Sequence, residues 1–247
     1  MIGSIALVGS GEYLPAMAKF ERSLIDDAIA NGKSNTYFQL PTAAGRESED
    51  RLDYWRTLGE SQAKSLGAEP RFLPIFNRED ALDPKYATSE FLSAIENAGL
   101  IYLSGGDPHH LANSLVGTPI WDAIVKAWQS GSSLAGCSAG AMVLSSEIPN
   151  FRLLKSPPTP GLNLLAEIRV IPHFNKFFKW IPDSAAKILL HVPSDAILIG
   201  VDELTAIVKR SGEADWVVFG EAKVHLLKGL PDQQRKDGER IDLRIAK

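Results

Sequence analysis

Residues 136–140 read Gly-Cys-Ser-Ala-Gly, a G-x-S-x-G pattern with Ser138 at its centre. The apolar run 133–136 leads into it and small residues follow. The stretch therefore reads as a buried strand, a sharp turn and the start of a helix. A hydroxyl on such a turn stands clear of its own backbone, as attack on an acyl carbon requires. Small neighbours let the main chain approach a substrate without a clash. The same five residues would also suit a helix-initiating serine in a glycine-rich loop, so the partners of Ser138 decide between the two readings.

A serine nucleophile needs a base and a group that orients the base. The chain has five histidines, at 109, 110, 173, 191 and 225. His173 follows Pro172 at the end of an apolar strand, 167–171, which places it at the strand's carboxyl end. His225 lies inside an alternating strand and His191 at a helix end, positions that suit packing or solvent. His109 and His110 are adjacent, and no cysteine or carboxylate cluster joins them, so no metal site is read. For the orienting group, Asp202 and Glu203 follow the apolar run 196–201, and the choice between them stays open at this point. Acyl transfer also needs donors for a negative oxygen. A backbone N–H in the Gly105-Gly106-Asp107 turn and the N–H of Ala139 are the candidates; Asp107 equally suits the cap of a following helix.

These residues depend on elements that hold them along one edge. Strands are read at 5–8, 36–40, 72–76, 100–104 and 133–136, and helices at 18–30, 49–66, 89–98 and 119–129. Alternation of this kind predicts βαβ units and a mostly parallel sheet covered on both faces. Ligands of such sheets bind beyond the carboxyl ends of the strands. Gly9-Ser-Gly11, Pro41-Thr-Ala-Ala-Gly45, Gly105-Gly-Asp107 and the Ser138 turn all fall there. Gly9-Ser-Gly11 lacks the third glycine of a dinucleotide fingerprint, Leu14 standing in its place, and no G-K-[ST] follows; it reads as a turn shaping a pocket floor, with no cofactor. In the last third, apolar runs at 167–171, 196–199, 205–208, 216–219 and 223–227 crowd together. Gly220-Glu-Ala suits a hairpin, so part of this third is expected to be antiparallel. Residues 156–161 read as a stiff loop and 232–240 as a solvated loop before a last short strand. No linker divides the chain, so one domain over 1–247 is expected.

Composition narrows the partners. The 247 residues are 45% hydrophobic and 23% charged with net charge −4, an ordinary globular balance without the basic footprint of a nucleic-acid binder. No run of about 18 apolar residues suggests a membrane span. Residues 1–8 lack a basic start and a small-residue cleavage site, and Cys137 is the single cysteine, so the cytoplasm is the expected compartment. The aromatics Phe174, Phe177, Phe178 and Trp180 read as core packing first, with a pocket wall or a homodimer contact as alternatives.

Pro41-Thr-Ala-Ala, Leu103-Ser-Gly-Gly-Asp107, Gly136-Cys-Ser-Ala-Gly-Ala141, Ile171-Pro-His-Phe174 and Val201-Asp-Glu-Leu-Thr-Ala206 occur in this order. Together they resemble the cyanophycinase and dipeptidase E family of serine peptidases. The resemblance implies an α/β three-layer sandwich similar to the class I glutamine amidotransferases. It implies Ser138 as nucleophile, His173 as base, Glu203 as the acid, and oxyanion donors at Gly106 and Ala139. Gly105, Asp107, Asn175 and Lys176 are the expected substrate contacts, Lys176 as partner of a substrate carboxylate. The cyanophycinase branch has Asp two places before the histidine and Gln after G-G-D, where this chain has Ile171 and Pro108. Lys176, Phe177, Phe178 and Lys179 replace its arginines. The function expected is cleavage of small aspartyl or isoaspartyl peptides through an acyl-enzyme. The alternatives are an esterase using Ser138, Asp202 and His225, or a silent, differently specific or thiol-dependent glutamine amidotransferase-like protein.

Overall fold

The computed structural model describes residues 1–148, 157–180, 196–231 and 233–244. The first half alternates strands and helices. Strand β1 (Ile5–Val8) leads to helix α1 (Ala18–Ala30), β2 (Thr36–Leu40) to α2 (Glu49–Ser65), and β3 (Glu69–Phe72) to α3 (Arg78–Leu82) and α4 (Ser89–Glu96). Then β4 (Leu100–Leu103) leads to α5 (Pro108–Leu115) and α6 (Pro119–Gln129), and β5 (Ser133–Cys137) to the short α7 (Ala139–Met142). Strands β6 (Glu147–Ile148), β7 (Thr159–Pro160) and β8 (Ile168–Ile171) precede α8 (Phe174–Trp180). The chain closes with β9 (Ile197–Val201), β10 (Thr205–Lys209), β11 (Trp216–Gly220), β12 (Lys223–Lys228), β13 (Gln233–Lys236) and β14 (Arg240–Ile241).

The main sheet has the order β14-β11-β10-β1-β5-β4-β2-β3. From β1 to β3 all pairs are parallel, and β10, β11 and β14 continue the sheet antiparallel. Strands β1, β2, β4 and β5 are buried throughout, because helices cover both faces. Alternate residues serve opposite layers. Leu7, Leu40, Leu103 and Leu134 pack with Leu111 of α5 and Ile124 of α6. Val8, Tyr37, Tyr102 and Cys137 face the other way, onto Leu24 and Ile25 of α1 and Ala63 of α2. Asp107 and Thr118 cap α5 and α6 through their side chains, and a proline follows each cap.

The last third differs from a simple antiparallel extension. A second sheet, β13-β12-β9-β8, packs its Val170, Ile199, Val201, Val224 and Leu226 into the α5–α6 layer. Residues 220–222 therefore do not close a hairpin: Gly220 pairs with Thr205 in the main sheet and Lys223 with Lys236 in the second. The expected solvated loop at 232–240 contains β13, and β14 stands at its end as the expected last short strand. The polarity of β13 is that of an exposed edge, which alternates between half-buried and exposed residues. Likewise β3 is an edge strand that ends at Phe72, ahead of Pro74, instead of spanning 72–76. Thr159–Pro160 pairs with Glu147–Ile148 where a stiff loop was expected. His191 lies outside the described residues. Among them, no helix is long and apolar enough to cross a membrane.

One buried carboxyl marks the α1–α2 layer. Glu21 is fully buried, accepts from Gln62 Nε2 at 2.9 Å, and has its pKa pushed by burial from the ordinary 4.5 to about 8. Between these values the folded chain holds a proton that the unfolded chain releases, so stability declines as pH rises through that window. Replacing Glu21 by Gln removes the titration. Urea melts should show Glu21→Gln within about 1 kcal/mol of the parent at pH 5 and more stable by about 2–5 kcal/mol at pH 8.5.

Candidate active site

The glycines of the 136–140 motif have a steric reason. A Cβ on Gly136 would lie 2.2 Å from Gly140 O, and one on Gly140 would lie 2.3 Å from Leu103 O. Strand β5, helix α7 and strand β4 thus meet backbone to backbone, which folds Ser138 into φ 49° and ψ −108°. The Ser138 N–H donates to Val8 O at 2.9 Å, which ties the turn to the end of β1.

His173 follows β8 and also has positive φ, at 50°. Its Nε2 is 3.1 Å from Ser138 Oγ, and its Nδ1 is 3.2 Å from Glu203 Oε1. Phe174 anchors this turn on β9, where a Cβ on Gly200 would fall 2.4 Å from the Phe174 ring. Glu203 sits in the turn between β9 and β10. Asn175 Oδ1 accepts from the Glu203 N–H at 3.2 Å, and Lys176 Nζ is 2.5 Å from Glu203 Oε2. The bonded Lys176 ammonium holds the Glu203 carboxyl below its ordinary pKa; partial burial opposes this and His173 adds to it. With Glu203 ionised, Nδ1 carries the proton and Nε2 is left to accept from Ser138.

Asp202 and Glu203, adjacent in sequence, go to different imidazoles. Asp202 is buried, accepts from the Lys223 N–H, and lies 3.0 Å from His225 Nε2. The His225 ring packs on Phe174 with centroids 4.6 Å apart. His225 therefore stands behind the relay, and the imidazole bonded to Ser138 is that of His173. His109 bonds Thr159 Oγ1 and His110 bonds Phe76 O.

The 104–107 loop faces the serine. Gly106 has φ 140°, and a Cβ there would lie 2.4 Å from Ala43 O in the 41–45 segment. The Asp107 N–H donates to Ala43 O, while the Asp107 carboxylate caps α5 and lies 3.7 Å from Arg46. Among the described residues, none accepts from the N–H of Gly106 or of Ala139. The Gly105 N–H is taken by Glu12 Oε1 at 3.1 Å, and Glu12 Oε2 accepts from the Cys137 thiol at 3.1 Å. Glu12 and Tyr13 escape sequence reasoning. The available signal is their place just after Gly9-Ser-Gly11, at the carboxyl end of the central strand.

The arrangement defines an α/β protein with a Ser-His-Glu relay at the carboxyl edge of a parallel sheet. Within that class the chain belongs to peptidase family S51, whose model matches residues 5–217. It is 31% identical over 212 residues to the cyanophycinases of Trichormus variabilis and of Nostoc sp., covering 79% of this chain and 64% of theirs. The match thus spans less than two thirds of those relatives' length. A cyanophycinase of Geminocystis herdmanii is 26% identical over 207 residues, which are 71% of this chain and 73% of that protein. The crystal structure of a peptidase from an acI-B1 Actinobacterium matches with TM-score 0.93 and 62% identity over 98% of both chains.

The Lys176–Glu203 pair carries a pH consequence. Lys176 is the first cause of the lowered Glu203 pKa. Lys176→Met should raise that pKa, so Glu203 loses its charge at a higher pH as the solution is acidified. Comparison of pH–rate profiles on one substrate should show the acid limb displaced upward in the variant.

Proposed function

We propose that the chain is a serine-type peptidase that cleaves small acidic peptides, aspartyl or isoaspartyl, through an acyl-enzyme on Ser138. The observation that carries this reading is the relay itself, Ser138 Oγ to His173 Nε2 at 3.1 Å and His173 Nδ1 to Glu203 Oε1 at 3.2 Å. His173 accepts the Ser138 proton as Oγ bonds to the substrate carbonyl carbon. The N–H groups of Gly106 and Ala139 receive the negative oxygen. His173 then gives the proton to the departing amine, and the C–N bond breaks to leave an ester on Ser138. Water, deprotonated by the same imidazole, attacks that ester; the proton returns to Ser138 Oγ and the acid product leaves. Glu203 fixes the ring and balances its transient charge.

The acidic preference rests on relatives named cyanophycinases; Lys176 is engaged by Glu203, and the exposed Arg46 lies 3.7 Å from Asp107. Ile171 and Pro108, and the loss of the arginines after the histidine, favour small peptides over a long Asp–Arg polymer. The thiol reading has a physical obstacle. Cys137 is fully buried, and burial together with the nearby Glu12 carboxylate pushes its pKa up, so the thiolate is scarce.

A panel of Asp-Xaa and isoAsp-Xaa dipeptides tests the reading. Ser138→Ala and His173→Ala should each lower kcat by about 10³-fold or more. Equal slow release by parent and Ser138→Ala would sink it. Mass mapping after a phosphonate should place the adduct on Ser138, with Cys137 resistant to iodoacetamide until the chain is unfolded; a native Cys137 adduct would favour the thiol reading instead.

A further inference from the structure

The residues after β1 contact the turn that carries Glu203, the 104–107 loop and the residue before Ser138. A Cβ on Gly9 would lie 2.1 Å from Asp202 O, and one on Gly11 would lie 2.6 Å from the Leu204 side chain, so this loop abuts the turn that carries Glu203. On its other side Tyr13, buried and with φ 61°, hydrogen-bonds Ser104 Oγ through its hydroxyl. Between these contacts Glu12 spends both carboxylate oxygens. Oε1 takes the N–H of Gly105, one residue before Gly106, and Oε2 takes the thiol of Cys137, one residue before Ser138. Neither donor belongs to the Ser-His-Glu relay, and both belong to segments that present the proposed oxyanion donors. Space leaves little slack: a Cβ on Gly105 would lie 2.5 Å from Glu12 Oε1 and 3.4 Å from Ser138 Cβ.

We infer that Glu12 is a positioning residue, a carboxylate staple that sets the separation between the Gly106 and Ala139 N–H groups before substrate arrives. This rests on the serine-peptidase reading above. A donor pair aimed in advance at a developing charge gains its effect because nothing must reorganise during reaction. The shape of Glu12, more than its charge, is what the pair of donors needs. Gln keeps an oxygen for the Gly105 N–H, whereas Ala releases both segments.

The test compares wild type, Glu12→Gln and Glu12→Ala by the rate at which a fluorophosphonate labels Ser138, and by kcat and KM on any dipeptide cleaved. Dissociation constants of the acid product, and melting temperatures, serve as controls. Glu12→Ala should label and turn over about 10²–10³-fold more slowly, as when an oxyanion donor is removed. Glu12→Gln should remain within about tenfold of wild type, and product affinity within about threefold for both. Labelling of Glu12→Ala at the wild-type rate overturns the inference. So does an equal loss of labelling and product affinity, which would mark a general collapse of the site. Labelling of Ser138 without cleavage of any peptide would refute the proposed peptidase function, while the labelling ratios still judge Glu12.

Discussion

The structure turns on one backbone conformation, Ser138 at φ 49°. A non-glycine residue held there costs roughly 1–3 kcal/mol and persists only where its surroundings over-determine it. They do so here. The Ser138 N–H bonds Val8 O, the N–H groups of Ala141 and Met142 bond Ser138 O, and Gly136 and Gly140 allow three backbones to meet. The same kind of strain recurs around the site. Among the described residues five non-glycines have positive φ, and Tyr13, Ser138, His173 and Leu204 are four of them. Each lies on a different loop that contacts or carries part of the relay. Packing in the layers below holds these loops in place, so the strain is concentrated where side chains must converge.

Convergence depends on how two sheets share the work. Ser138 and the facing glycine loop leave the main sheet from β5 and β4. The histidine leaves the second sheet from β8, and Glu203 sits in the turn where β9 of the second sheet hands the chain to β10 of the main one. Strand β1 lies at the change from parallel to antiparallel pairing, between β5 and β10. Its following loop therefore faces the elbow on one side and the acid turn on the other. The second sheet is held against the α5–α6 layer by Val170, Ile199 and Val201. Apolar contacts remote from the chemistry thus set the distance from His173 to Ser138.

Ser138, His173 and the Asp202-Glu203 pair were legible in the sequence because each ends an apolar strand, and the carboxyl ends of strands are where such sheets bind ligands. The choice of Glu203 over Asp202 came from resemblance alone, since adjacent carboxylates in one turn differ only by the direction in which they point. The buried central strands declared themselves through continuous apolar residues. Strand β13 did not, because a half-exposed edge strand carries polar side chains and reads as a loop, and β3, another edge strand, is read a few residues late, on the apolar run 72–76. The second sheet was hidden for a different reason: its strands have the same apolar character as those of the main sheet, and nothing in their composition says which neighbours they choose. Glu12 was hidden by distance. Its partners lie 93 and 125 residues along the chain, and no local pattern records a contact of that range.

The four residues His173, Phe174, Asn175 and Lys176 show how a short segment compensates for that long-range assembly. His173 supplies the imidazole and Phe174 docks the segment on Gly200. Asn175 holds the backbone of Glu203, and Lys176 holds its free carboxylate oxygen. Glu203 thus has one oxygen bonded to His173 and the other to Lys176, from the same turn of chain. The arrangement favours geometry over field strength. An ammonium bonded to Glu203 draws off part of the negative potential that would stabilise an imidazolium, yet it keeps the carboxylate ionised and immobile. The local sequence after the histidine is therefore part of the relay's construction, and its lysine acts through Glu203 instead of standing apart as an isolated charge.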